Sequence, residues 1–432
     1  MDVQNSHRPF FLAGIATVLT LGCVWGAINL FTIGVKESFS AVNYSWVLAH
    51  GHAMVFGFVG FFIMGFAYQA VPRFKQTALW RPRLAFSTLP LMIAGIILQT
   101  VAHLSSPPSL PLEVVASVFQ MLAVTVFTAV MVQTIRRSGK REVYDRFLYA
   151  ASAWFLIAAI ANPIIFKLFE LPGSREQLLF NLATFNIPYR DVQLLGLAVV
   201  MILGMSLRLL PHAYGFREPS RQWTTILFWG VNGAILAGIV FFVGGMISGN
   251  HWLLMLQWLA AVALLVIAVA TPFQYRLFGP VRESDRSLKF IRAAHIWFII
   301  ATAMLVFTPI YNFGIYMPLT GSHVPFSHAY FGAYRHALTV GFIMMMIVGV
   351  SSRVVPGRSN LLWPTFVLLN LGNLTRVSFQ IATDFSPSGY PIMGISGFIE
   401  VVGLTLWGYE LLSNMFLREN RVSSASIVVG RS

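Results

Sequence analysis

Ten histidines and a few isolated charges are the residues of this 432-residue chain best suited to chemistry. Five histidines fall in two short stretches: His50 and His52 in one, His323, His328 and His336 in the other. Inside an apolar segment, an imidazole is costly unless it has a function. Two imidazoles at equal depth on facing helices can hold a planar haem by both axial positions. His52 and His336 are read as that pair. Arg335, Arg190 and Arg376 are candidates to pair with the haem carboxylates, because a guanidinium binds a carboxylate through two parallel bonds. His50 is two residues from His52 and so points to another helix face. With His328 or His323 it could serve a second haem or a copper ion.

The remaining polar groups receive plainer readings. His7, His103 and His251 are expected at solvated helix ends, and His212 and His295 as structural groups. Arg376 lies deep in an apolar stretch, and Asp384 is its nearest acid in sequence. Lys167 and Glu170 are three apart and suited to pair on one helix. No string of carboxylates marks a proton channel. The one cysteine, Cys23, rules out an internal disulfide and a cysteine-based metal cluster.

These groups must be carried by membrane helices. Hydrophobic residues make up 57% of the chain and charged residues 10%, with a mean hydropathy of +0.72. Soluble domains carry about 25% charged residues, so the fold class is all-α, a polytopic membrane protein. Stretches long enough to cross a bilayer lie at 10–33, 46–71, 84–104, 112–136, 146–169, 190–211, 223–247, 251–273, 289–312, 329–353, 361–382 and 391–416, twelve in all. The first is read as a retained helix, since no small-residue cleavage site follows it. The net charge is +14, and the cations cluster after every even-numbered stretch, as in Arg73 and Lys75, or Arg136 to Arg146. That pattern sets both termini in the cytoplasm and the histidine pair near the outer face of a bacterial-type inner membrane. It also accounts for the charge without nucleic acid. The stretch 170–189 is expected as an outer loop able to dock a partner.

The stretches repeat. His52, Asp191 and His336 are each followed by glycine at offsets 5 and 13 and proline at offset 20: Gly57, Gly65 and Pro72; Gly196, Gly204 and Pro211; Gly341, Gly349 and Pro356. These positions fall on the second, sixth and tenth stretches. The whole chain is therefore read as one membrane domain of three four-helix units, approximately 10–136, 146–273 and 289–416. Glycines eight apart lie nearly on one face, which suits either close helix packing or room for a porphyrin.

Three four-helix arcs with histidines on helices two and ten resemble subunit I of the haem-copper oxidase superfamily. The segment from His50 to Gly57, running on to Val71, Pro72, Arg73 and Phe74, is similar to short oxidase-like proteins of that group. Arg190, Asp191 and Gln193, and His336 to Gly341 followed by Ser351 and Arg353, look more like the NnrS family. That family comprises twelve-helix membrane proteins associated with haem, copper and nitric oxide metabolism. The resemblance implies ligation of haem b by His52 and His336. It departs from the oxidases where they place copper and second-haem histidines: Tyr334 stands on helix ten, Asp191 and Gln193 on helix six, and helix seven has no histidine. The implied role is haem binding in nitric oxide metabolism or respiratory electron transfer, without a standard binuclear copper site. The alternatives are a haem or copper transporter or chaperone, and an electron-relay subunit of a larger respiratory complex with a redox partner or other membrane subunits.

Overall fold

The structure, a computed structural model, describes residues 5–280, 285–355 and 357–429, with side chains as far as Phe416. Pro356, the closing proline of the third repeat copy, lies outside the described residues, as do the side chains of Arg418 and Arg421.

The described residues form a bundle of helices: α1 Arg8–Lys36, α2 Tyr44–Lys75, α3 Pro82–Leu104, α4 Leu110–Arg137, α5 Tyr144–Glu170, α6 Arg175–Tyr214, α7 Arg221–Ser248, α8 His251–Tyr275, α9 Leu288–Thr320, α10 His328–Val354, α11 Leu362–Ala382 and α12 Gly389–Val429. Local sequence sets many of the ends. The side chains of Asn43, Ser174, Ser220, Asn250 and Ser327 accept hydrogen bonds from first-turn N–H groups, as N-caps do. Gly215 and Gly249 close α6 and α7 at φ +69° and +68°, a left-handed conformation that only glycine adopts without cost.

Eleven of these helices are long and apolar enough to cross a membrane. The exception is α11. It has 21 residues, but Asn370, Asn373, Arg376 and Gln380 make it too polar to qualify. Lipid-facing character is plain elsewhere: Trp229, Trp252 and Phe273 are among the large apolar side chains left exposed. The expected loop at 170–189 is instead the first half of α6, which begins at Arg175 under the Ser174 cap. Its sequence, Arg175 to Tyr189, mixes polar and apolar residues, so hydropathy alone missed it.

Helices α2, α6 and α10 form the interior. Their most apolar windows are 83%, 83% and 67% buried, against 50% or less in the other crossing helices. Packing neighbours recur every fourth helix. Pairs α3–α4, α7–α8 and α11–α12 pack side by side; α4–α5, α8–α9 and α12–α1 link them around the bundle. Each inner helix also leaves α-helical geometry at the same point. Residues Ala53–Val59, Val192–Val199 and Ala337–Met344 are π-helical, beginning directly after His52, Asp191 and His336.

The repeated glycines are packing sites. A Cβ on Gly57, Gly196 or Gly341 would lie 2.5–2.7 Å from Thr17, Trp154 or Trp297. One on Gly65, Gly204 or Gly349 would press on Phe10, Phe147 or Phe290 and its neighbour Ile291. These partners sit seven apart on α1, α5 and α9. The expected room for a porphyrin beside these glycines is therefore filled by neighbouring helices. The Trp154 and Trp297 indoles donate to Asn232 and Asn370 at 3.0 and 3.1 Å, fixing α5 to α7 and α9 to α11 in the same way.

Candidate functional site: two histidine settings at one end of the bundle

His50 and His336 share one setting. His50 Nδ1 is 3.0 Å from the carbonyl oxygen of Gly22, and His336 Nδ1 is 2.9 Å from that of Gly332. Gly22 ends a π-helical segment, Val18–Gly22, and its ψ of −113° turns its carbonyl away from the helix. Gly26, one turn on, lets the His50 ring lie against α1; a Cβ there would be 2.5 Å from the ring. With each Nδ1 donating to a main-chain carbonyl, each Nε2 keeps a free lone pair. A backbone carbonyl on the far nitrogen is one of the partners that orient a metal-binding histidine. His336 and His50 are electrostatic neighbours of each other and of Arg376, and both remain half-buried.

Three guanidinium groups surround this pair. Arg190 donates to Gln193 Oε1 at 2.8 Å and lies against the backbone of Gly51, where a Cβ would be 2.9 Å away. Arg335 sits over the Phe331 ring at 4.3 Å, with Asp191, Tyr44 and Arg190 as further neighbours, and its Nη2 is buried without a partner. Arg376 is buried, with Nε and Nη1 unpartnered and Glu400 as its charged neighbour. Asp384, the acid expected beside Arg376, instead accepts from Tyr311 at 2.8 Å and from Ser327. Burial raises its carboxyl above the ordinary range despite those two donors. Three guanidiniums against Asp191 and Glu400 leave a positive excess and orphan donors, which suits an anionic group.

His52 belongs to a different setting. Its Nε2 is 3.0 Å from Gln120 Nε2. Gln120 donates to Gln99, Gln99 to Asn162, and Tyr189 to Asn162, at 2.9, 3.1 and 2.7 Å. Asn162 also reaches Glu113, a fully buried carboxylate that accepts from Ser117 at 2.8 Å. His52 and His103 line one small cavity together with Tyr189 and Arg190. The structure thus turns His52 toward α3, α4 and α5, and places His50 beside His336. The α-helical period could not reveal this exchange.

Other expectations shift similarly. His103 is not a solvated end: it is buried, with Nδ1 2.6 Å from Glu170 Oε1. Ser45 takes the other oxygen of Glu170 at 2.6 Å, so Lys167, which is exposed, is not its partner. His7 is also buried, edge-on to Phe11, and burial with the Arg8 and Arg73 charges lowers its pKa to about 4. His295 is buried and bonded to the Ile291 carbonyl, consistent with a structural group. His251 and His212 are exposed. His323 is exposed, and the exposed His328 stacks on Phe39, so neither is gathered with His50. Among the described residues, no group of three or more histidine, cysteine or acidic side chains could hold a metal ion.

A comparison with curated proteins returns no match. The family model for NnrS protein matches residues 3–419, nearly the entire chain. This polytopic helical chain is a member of the NnrS family.

Proposed function

We propose that this protein binds one haem b between α2 and α10, where the imidazoles of His50 and His336 would hold it. The observation that carries the reading is the pair of neighbouring imidazoles, each fixed through Nδ1 to a main-chain carbonyl with Nε2 free. The residues fit the group. Arg335 and Arg376 have buried donors without partners, and with Arg190 they offer charge for the haem carboxylates. Bound there, haem b would supply one-electron redox chemistry. The protein's part is to orient both imidazoles, neutralise the carboxylates and shield the group inside the bundle.

The proposed setting is a twelve-crossing bundle of three four-helix units, with both termini cytoplasmic and the haem toward the outer face. Recurrent packing every fourth helix and recurrent π-helical segments support the three units. The arginine clusters support the orientation. The role in nitric oxide metabolism or respiratory electron transfer rests on the family resemblance.

The test is an absorption spectrum of purified protein, oxidised and dithionite-reduced, with a pyridine haemochrome assay. Six-coordinate haem b bands are expected, lost in His50→Ala and His336→Ala and kept in His52→Ala. Loss in His52→Ala with retention in His50→Ala would return the ligand role to His52. Protein from haem-replete cells with no Soret band would reject the haem reading altogether.

A further inference from the structure

A second internal space lies where the three inner helices meet, well away from the histidines. It is a cavity of about 70 Å³, almost wholly apolar. Its lining repeats. Ile63, Ile202 and Ile347 each stand 11 residues beyond His52, Asp191 and His336. Ala67, Ser206 and Ser351 stand 15 beyond. Residues four apart share a helix face, so α2, α6 and α10 each present an isoleucine and a small residue to the same space. Truncated side chains at three equivalent positions, rather than one local defect, leave it open.

We infer that this cavity binds a single small, uncharged gas molecule of two or three heavy atoms. Size and polarity both select that class. A dry apolar cavity of about 150 Å³ admits benzene or xenon; one half as large excludes the ring and still admits a xenon-sized body. A water needs two to four polar partners. Here only two hydroxyls are available, and that of Ser351 is already bonded to the Val348 carbonyl at 3.2 Å. The thioethers of Met201 and Met346 add polarisable surface, which strengthens dispersion with a small apolar guest. Gases of this kind concentrate in lipid, and the lining helices stand within it.

The inference does not depend on haem. Crystals of the full-length protein pressurised with xenon test it directly. One anomalous peak is expected in the space bounded by Ile63, Ile202 and Ile347. Ala67→Met fills the space from α2 and should remove that peak alone; should this variant fail to fold, Ser206→Leu fills it from α6. Absence of anomalous density there overturns the proposal, whether or not xenon appears elsewhere. So does a peak that persists in the filled variant, or a chain of ordered waters in the xenon-free map.

Discussion

Single residues decide where charge is tolerated in this protein. Lys75 is almost fully buried and bonds Asp145 at 2.7 Å and the Lys140 carbonyl at 2.8 Å. Lys75→Met would leave Asp145 as an unpaired buried charge, which costs about 3–5 kcal/mol. Thermal unfolding in detergent should show that loss, and much of it should return in the Lys75→Met, Asp145→Leu double variant. His7 makes stability depend on pH. Its folded pKa of about 4 is below the ordinary 6.5, so the unfolded chain binds more protons between those values. Stability is therefore full above about pH 6.5 and falls as pH drops toward 4. His7→Phe should flatten that part of the curve; an unchanged slope would assign it to other groups. At the proposed haem site, Gly26→Val would push the His50 ring aside. A shift from six-coordinate to five-coordinate spectra is the expected signature.

At the scale of elements, close packing of α1, α5 and α9 against the inner helices dominates. Gly341→Ala would set a Cβ 2.5 Å from Trp297, whose indole is anchored to Asn370 and cannot yield freely. Overpacking of this kind costs about 1–3 kcal/mol. Gly233→Ala on α7 is the control: nothing lies within 4 Å of its added methyl, and helix propensity alone favours alanine by about 0.5–1 kcal/mol. The two variants should shift thermal unfolding in opposite directions. Equal shifts would show that the glycines are not the contact points described. The repeat spacing of these glycines was legible from sequence. Their partners were not: Phe10, Phe147 and Phe290 recur seven before Thr17, Trp154 and Trp297, but on separate helices, and which helices pack together is set only by the tertiary fold.

For the whole molecule, topology turns on α11, the helix too polar to qualify as a crossing by composition. Its polar face is explained by what it meets: Asn370 binds Trp297, and Arg376 faces Glu400. A helix that buries its polar residues against neighbours can cross lipid without an apolar average. Cysteine labelling can decide. In a Cys23→Ser background, Ser388→Cys and Asn360→Cys place single thiols at exposed positions beyond the two ends of α11. A membrane-impermeant maleimide should reach Ser388→Cys from the outer side only and Asn360→Cys from the cytoplasmic side only. Labelling of both from one side would make α11 a non-crossing helix and end the twelve-crossing proposal.

Sequence by itself determined the solvent of this protein, most helix positions and which inner helices carry histidine. Runs of apolar residues and paired offsets are local properties, and local properties survive without coordinates. Tertiary structure decided which histidine faces which partner. His50 and His52 are two residues apart on α2 and so lie on nearly opposite faces, and which of them faces α10 depends on the phase of that helix. Each residue turns a helix by about 100°, and the π-helical segments at Val18–Gly22, Ala53–Val59 and Ala337–Met344 alter that phase just beside the histidines. An α-helical reading of the sequence carries no record of such a shift. Only packing against Gly26 on one side and Gln120 on the other fixes it, placing His50 beside His336 and His52 within the buried amide network.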